Sequence, residues 1–126
     1  GCIIEGTVDS SVLSPGVYVG PGALIRDSVI MTDTRVEAGA TVVRSITDKQ
    51  VLIGAGCRVG SESDLTVNEL FPDSINTGLT LVGKNTRLPA GFRVGGNCVI
   101  GSDLTEADFA GMTSLPSGKS FGVEPL

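Results

Sequence analysis

An aliphatic residue recurs at every sixth position through much of this 126-residue chain, and that repeat limits the possible folds more than any other feature. Residues 82–103 divide into Val82-Gly83-Lys84-Asn85-Thr86-Arg87, Leu88-Pro89-Ala90-Gly91-Phe92-Arg93, Val94-Gly95-Gly96-Asn97-Cys98-Val99 and Ile100-Gly101-Ser102-Asp103. Earlier units start at Val19, Ile25, Ile30, Val36, Val42, Ile53 and Val59, with Ile25 opening a unit of five. The residue two before a starter is usually small: Ala23, Ser28, Thr34, Ala40 and Cys57. Residues two apart on a strand share a face, so each pair sends one small and one branched side chain into a common core.

The fourth position of the unit sets the backbone. It is occupied by Gly22, Asp33, Gly39, Gly56, Asn85, Gly91, Asn97 and Asp103. Gly, Asn and Asp are the residues that best tolerate left-handed dihedrals, so a corner is expected every six residues with a short strand between corners. Three such sides close a triangle of about eighteen residues, each side about 20 Å long at ~3.3 Å per residue. Aromatic residues are 4% of the chain and Trp is absent, so the core must be aliphatic. The expected fold is all-β: one parallel β-helix domain spanning residues 1–126, with hexads over about 17–60 and 80–103. Ile25, Ile30, Val36, Val42, Val82, Leu88, Val94 and Ile100 should point inward.

Two segments leave the repeat. Residues 61–79 form an expected inserted loop carrying Glu62, Asp64, Glu69, Asp73 and Leu70-Phe71-Pro72. Residues 104–126 form an expected cap or tail, with a short helical turn over Thr105–Phe109, because a solenoid otherwise exposes its last strand edges and core. The opening Gly1-Cys2-Ile3-Ile4 is strand-like and lacks Met, which reads as part of a longer chain.

The chain contains no histidine. Ser-His-Asp and Cys-His catalysis and His-based metal sites are therefore excluded within it. The formal net charge is -5, and the nine Lys and Arg residues are scattered singly. No basic stripe is present for nucleic acid or an anionic membrane, and no apolar run reaches the ~20 residues of a membrane span. Cys57 and Cys98 occupy the fifth hexad position, where Ala, Ser and Thr also stand, and are read as core packing. Gly118-Lys119-Ser120 is read as a surface turn, because Thr113 stands where a phosphate loop needs its first glycine. No catalytic, cofactor-binding or metal-binding residue is assigned.

The hexads resemble the hexapeptide-repeat family, which implies a left-handed helix; the usual crossover rule would favour the right hand. Further segments are similar to the C-terminal domain of glucose-1-phosphate adenylyltransferases (ADP-glucose pyrophosphorylases). They are Gly1–Val8, Ser11-Val12-Leu13-Ser14-Pro15-Gly16-Val17-Tyr18-Val19-Gly20, Asp27-Ser28-Val29-Ile30-Met31, Ile46-Thr47-Asp48-Lys49-Gln50-Val51 and, more loosely, Asn76–Asn85. The resemblance implies a non-catalytic regulatory and assembly domain, with an N-terminal nucleotidyltransferase domain lying outside this chain. It further implies Mg²⁺ in the parent enzyme, homotetramers (a dimer for the fragment alone), anionic metabolite effectors and cytoplasmic glycogen or starch synthesis.

Arg58, Arg87 and Arg93 each precede an inward aliphatic residue, and a planar donor fork suits phosphate or carboxylate. They are the candidates for an anionic effector or an interdomain contact, and Phe71 is the candidate interface residue. The competing readings are the β-helix of another sugar-1-phosphate nucleotidyltransferase, such as a mannose-1-phosphate guanylyltransferase, and a hexapeptide acyltransferase. The latter is disfavoured, as is a γ-type carbonic anhydrase, because each relies on histidine.

Overall fold

The computed structural model describes residues 1–64 and 66–123; Leu65 and residues 124–126, which fall in the expected loop and tail, lie outside the described residues. The chain winds in three-sided coils. The first carries β1 (Ile3–Ile4), β2 (Thr7–Asp9) and β3 (Val12–Leu13), and the second β4 (Tyr18–Val19), β5 (Leu24–Arg26) and β6 (Val29–Ile30). The third carries β7 (Arg35–Val36), β8 (Thr41–Val43) and β9 (Ser45–Thr47). The fourth has β10 (Leu52–Ile53) and β11 (Arg58–Val59), then the inserted loop, then β12 (Thr80–Val82). The fifth has β13 (Arg87–Leu88), β14 (Arg93–Val94) and β15 (Val99–Ile100). In the sixth a 3-10 helix, Glu106–Phe109, precedes β16 (Ser114–Leu115) and β17 (Ser120–Phe121).

Every third strand stacks in parallel up to β15, and every second one in the last coil, where the 3-10 helix takes a strand's place, giving sheet 1 (β1-β4-β7-β10-β13), sheet 2 (β2-β5-β8-β11-β14-β16) and sheet 3 (β3-β6-β9-β12-β15-β17). The coil extends beyond residues 17–60 and 80–103 at both ends. Its early period also differs from eighteen: Leu24 pairs with Thr41 and Thr41 with Arg58, a step of 17 residues. The missing residue comes from the corner between sheets 2 and 3, where one left-handed residue, Asp27 (φ 50) or Arg44 (φ 44), makes the turn. Ser28 and Ser45 follow it. The Ser28 Oγ accepts the Ser45 N–H at 3.1 Å and donates to the Arg26 carbonyl at 2.8 Å, so the tight corner is satisfied internally. Leu52 pairs with Arg87 across 35 residues because the loop is spliced into that coil.

All eight expected corner residues have positive φ, from 52° at Asn97 to 75° at Gly91. The expected core residues Ile25, Ile30, Val36, Val42, Val82, Leu88, Val94 and Ile100 are all buried. One polar residue stands in their column. Thr47 lies inward between Ile30 and Val82 in sheet 3, fully buried, and its Oγ1 has no hydrogen-bond partner among the described residues. A buried hydroxyl without a partner costs on the order of 1–3 kcal/mol. Thr47→Val keeps the shape and removes that group, so it should stabilise the fold by about 1 kcal/mol. The check is a rise in Tm of roughly 4 °C; an unchanged or lower Tm would show that the hydroxyl is satisfied.

Candidate functional site

Arginines that end hexads fall on the outer wall, because the next residue along the strand points inward. In sheet 2, Arg58 and Arg93 are paired in register on adjacent coils, with Thr41 on one side and Ser114 on the other. Strands in a sheet are ~4.8 Å apart, so two exposed guanidinium groups sit side by side. Like charges directly opposite each other destabilise a sheet. Neither arginine has a carboxylate within ion-pair distance among the described residues. Two donor forks flanked by two hydroxyls form a surface that an oxyanion would neutralise.

Arg87 does not join them. It lies on sheet 1, and its Nε donates to Glu106 Oε1 at 2.8 Å, strapping the 3-10 helix to the coil below. That hydrogen bond holds the Glu106 carboxyl below its ordinary range. Elsewhere on sheet 1 the Arg35 guanidinium lies 4.3 Å from the Tyr18 ring centroid.

The inserted loop is pinned by asparagine. Asn68 is buried, and its Nδ2 donates to the carbonyl of Asn97 at 2.9 Å and to Ser120 Oγ at 3.0 Å. Its Oδ1 accepts the N–H groups of Leu70 and Phe71. Asn97 answers from the coil, donating to the Thr66 carbonyl and accepting the Gly78 N–H. Ion pairs Arg26–Glu62 (2.8 Å) and Lys119–Glu69 (2.7 Å) tie down its flanks. Phe71 is half-buried, not the open anchor that its sequence context suggests. The Asn68 bond to its backbone turns the loop inward there. Among the described residues of this segment the exposed large apolar ones are Val67, Leu70 and Leu79.

The remaining chemistry-bearing groups are structural. Cys57 and Cys98 are buried free thiols, and burial pushes both above the ordinary thiol range. Each Sγ lies near a proline carbonyl of the next coil, Pro89 for Cys57 and Pro116 for Cys98. Gly118 (φ 81) makes the turn into β17, so Gly118-Lys119-Ser120 is a coil corner. Among the described residues no group of three His, Cys, Asp or Glu side chains could hold a metal ion, and no helix is long and apolar enough to cross a membrane.

Among curated proteins, a glucose-1-phosphate adenylyltransferase of Thermomicrobium roseum is 50% identical over 101 residues, 80% of this chain. One from Acetivibrio thermocellus is 37% identical over 95% of the chain. The matched regions are only 23% and 28% of those relatives' lengths. Among solved structures, the acetyltransferase domain of PglB from Neisseria gonorrhoeae FA1090 matches all of this chain and 51% of its own, with a TM-score of 0.66 at 20% identity. That likeness is one of fold. A sequence profile for GlmU-like C-terminal hexapeptide domains matches residues 1–82, which include the first three coils and both strands that precede the inserted loop. The chain therefore belongs to the GlmU-like C-terminal hexapeptide family, whose repeat builds the three-sided coil described above.

Proposed function

We propose that this chain is the non-catalytic regulatory and assembly domain of a glucose-1-phosphate adenylyltransferase. The parent enzyme would convert ATP and glucose 1-phosphate to ADP-glucose and diphosphate, in cytoplasmic glycogen or starch synthesis. The observation that carries this reading is the 50% identity to the Thermomicrobium roseum enzyme over 80% of the chain. The chemistry, and the Mg²⁺ it uses, would belong to a nucleotidyltransferase domain upstream. This chain would supply a rigid coil on which copies of the enzyme assemble.

The Arg58–Arg93 pair is the proposed contact for an anion. The anion would be a phosphorylated metabolite acting as effector, or a carboxylate of the catalytic domain. Either would relieve the like-charge pair on sheet 2. Arg87 is left out of this surface because Glu106 already holds it.

The test is a domain exchange. The matching segment of the Thermomicrobium roseum enzyme is replaced by this chain, and ADP-glucose synthesis and oligomeric mass are measured. Activity within about threefold of the parent, with its native mass, is expected. The isolated chain should give no ADP-glucose from ATP, glucose 1-phosphate and Mg²⁺. In the exchanged enzyme, Arg58→Ser with Arg93→Ser should weaken the response to anionic effectors at least tenfold and leave the basal rate in place. An inactive or disassembled exchange protein that is nevertheless folded, or turnover by the isolated chain, would overturn the proposal.

A further inference from the structure

The three outer walls of the coil are chemically unequal. On sheet 3 the outward residues in register are Val12, Val29, Ile46, Leu81 and Val99, ending at Ser120. This is an unbroken aliphatic ladder across five strands. Val12 is 62% exposed, and Val29, Ile46, Leu81 and Val99 are half-buried by one another. The outward positions beside the ladder are taken by Ser14, Met31, Asp48, Gly83, Gly101 and Gly122. The glycines leave a shallow groove of about 340 Å³, walled by Met31, Ile46, Leu81 and Val99, with Asp48 at its edge.

Charge is kept off this wall. Sheet 1 presents Arg35 and Arg87, with Glu5 and Glu37 just past its strands, and sheet 2 presents Asp9, Arg26, Arg58 and Arg93. Among the described residues the strands of sheet 3 carry no charged side chain; Asp48 follows β9 and lines the groove, and Asp27 and Arg44 stand at the corners before β6 and β9. Burying either of the other walls would desolvate several ions, which costs several kcal/mol each unless they are well paired. Covering sheet 3 would desolvate fewer ions, because Asp48 is the charged group among the described outward residues in and beside its strands.

We infer that sheet 3 is a docking face for a second copy of this chain, packed sheet on sheet about a two-fold axis. This rests on the assembly role proposed above and names the surface that performs it. A chain of net charge -5 needs a face poor in charge to approach its own copy, and the strands of this wall carry no charged side chain, with Asp48 at their edge. The size also fits. Six strands at ~4.8 Å and a side of ~20 Å give about 580 Å² of plane per copy when the whole wall is covered, or roughly 1,150 Å² for two, close to the ~1,000 Å² expected of a specific interface. An aliphatic ladder opposed to its own image is self-complementary, as an isologous contact requires, and two sheets would stack ~10 Å apart. The inserted loop would frame the contact: Asn68 binds Ser120 at the start of β17, and exposed Leu79 leads into β12.

The experiment is sedimentation velocity of the 126-residue chain from about 5 to 200 µM. Wild type is compared with Ile46→Glu, Leu81→Glu, the control Arg58→Ser/Arg93→Ser and the loop variant Phe71→Ser. A concentration-dependent dimer is expected for wild type and the control. Ile46→Glu and Leu81→Glu should each weaken it at least tenfold, with an unchanged melting temperature. If either charge variant fails to fold, Ile46→Cys in a Cys2→Ser background tests the same face, because mild oxidation should trap a disulfide-linked dimer. A wild-type monomer at 200 µM overturns the inference, and the wall is then free for the upstream part of the longer protein or another partner. A dimer that survives both sheet 3 variants and dissociates with Phe71→Ser or the arginine pair also overturns it. In that case the assembly role stands and only its location moves.

Discussion

Replacing Gly60 by alanine should lower Tm by about 15 °C, the largest loss expected from any single methyl group in this chain. Gly60 ends β11 at the point where the inserted loop leaves the coil. Its φ is +90, and its N–H donates to the Val94 carbonyl at 2.8 Å. A Cβ there would run into the Val43 carbonyl oxygen of the coil before it and lie 2.8 Å from Ser45 Oγ. Those two atoms are fixed, because the Ser45 hydroxyl donates to that same carbonyl at 2.8 Å. Left-handed strain of ~1–2 kcal/mol adds to an overpacking cost of ~1–3 kcal/mol, giving a total of about 4 kcal/mol. For a chain of this length each kcal/mol is worth roughly 4 °C. Gly91 is the control. Its φ is +75, but a Cβ would have no other atom within 4 Å. Gly91→Ala should therefore cost only the left-handed strain, about 1 kcal/mol. Gly91→Asn should be nearly neutral, since Asn85 (φ 60) and Asn97 (φ 52) already turn corners of the same kind. Equal melting temperatures for Gly60→Ala and Gly91→Ala would show that the rung-to-rung contact is not the source of the loss.

The corners show how far sequence reaches into this fold. Where the left-handed position is Gly, Asn or Asp, the residue type announces the turn. Ser10, Arg44 and Gln50 also have positive φ, at 50, 44 and 58, and nothing in their chemistry signals it. They are held there by neighbouring coils: the Arg44 N–H donates to the Arg26 carbonyl and the Gln50 N–H to the Thr32 carbonyl. The first coil is hidden for a related reason. Its inward residues Ile4, Val8 and Leu13 are four and five apart, so a search for sixes passes over them. The last coil is hidden because a 3-10 helix replaces one of its strands, and the step from Ile100 to Phe109 is nine residues.

The proposed contact surfaces are less legible in the sequence than the core. Arg58 and Arg93 are 35 residues apart, and their contact depends on the loop returning the chain to the corner it left. Nothing within the loop's own sequence says that it does; the buried Asn68, which closes it, looks like an ordinary loop polar residue, and its partner Asn97 reads in the sequence as a hexad corner alone. Arg87 and Arg93 are one hexad apart, and that spacing alone puts them on adjacent walls, as found; what the spacing does not show is that, of the two, Arg87 meets a carboxylate and Arg93 meets none among the described residues. The sheet 3 ladder was in plain view as the residue before each inward position. Its register emerges only when the short corner sets the step at 17 from Val12 to Val29 and Ile46, the loop sets it at 35 to Leu81, and a full coil sets it at 18 to Val99.

Removal of the Phe109 side chain should cost about 3–5 kcal/mol and act mainly on the last coil. The 3-10 helix occupies the place where sheet 1 would have its sixth strand: the Arg87 N–H donates to the Leu104 carbonyl at 2.8 Å, as a strand partner would. The Thr105 N–H is satisfied by Asp108 Oδ2 at 2.8 Å, and Arg87 grips Glu106 from below. The helix thereby aims Phe109 into the open end of the aliphatic core, where the ring is 2% exposed and its centroid lies 5.0 Å from those of both Phe92 and Phe121. These three rings are the aromatic part of an otherwise aliphatic core. Phe109→Ala would leave a cavity beneath the cap and remove two ring contacts worth about 0.5–1.5 kcal/mol each beyond the area they bury. In a solenoid each coil is stabilised by its neighbours, so the damage should stay local. Amides of Ser114–Phe121 should exchange at least tenfold faster, while those of Val19–Val43 keep wild-type rates. Phe109→Leu should recover about half of the loss in Tm. Uniform acceleration of exchange from the second coil to the sixth would show that the coil unfolds as one unit and that Phe109 is no more than another core residue.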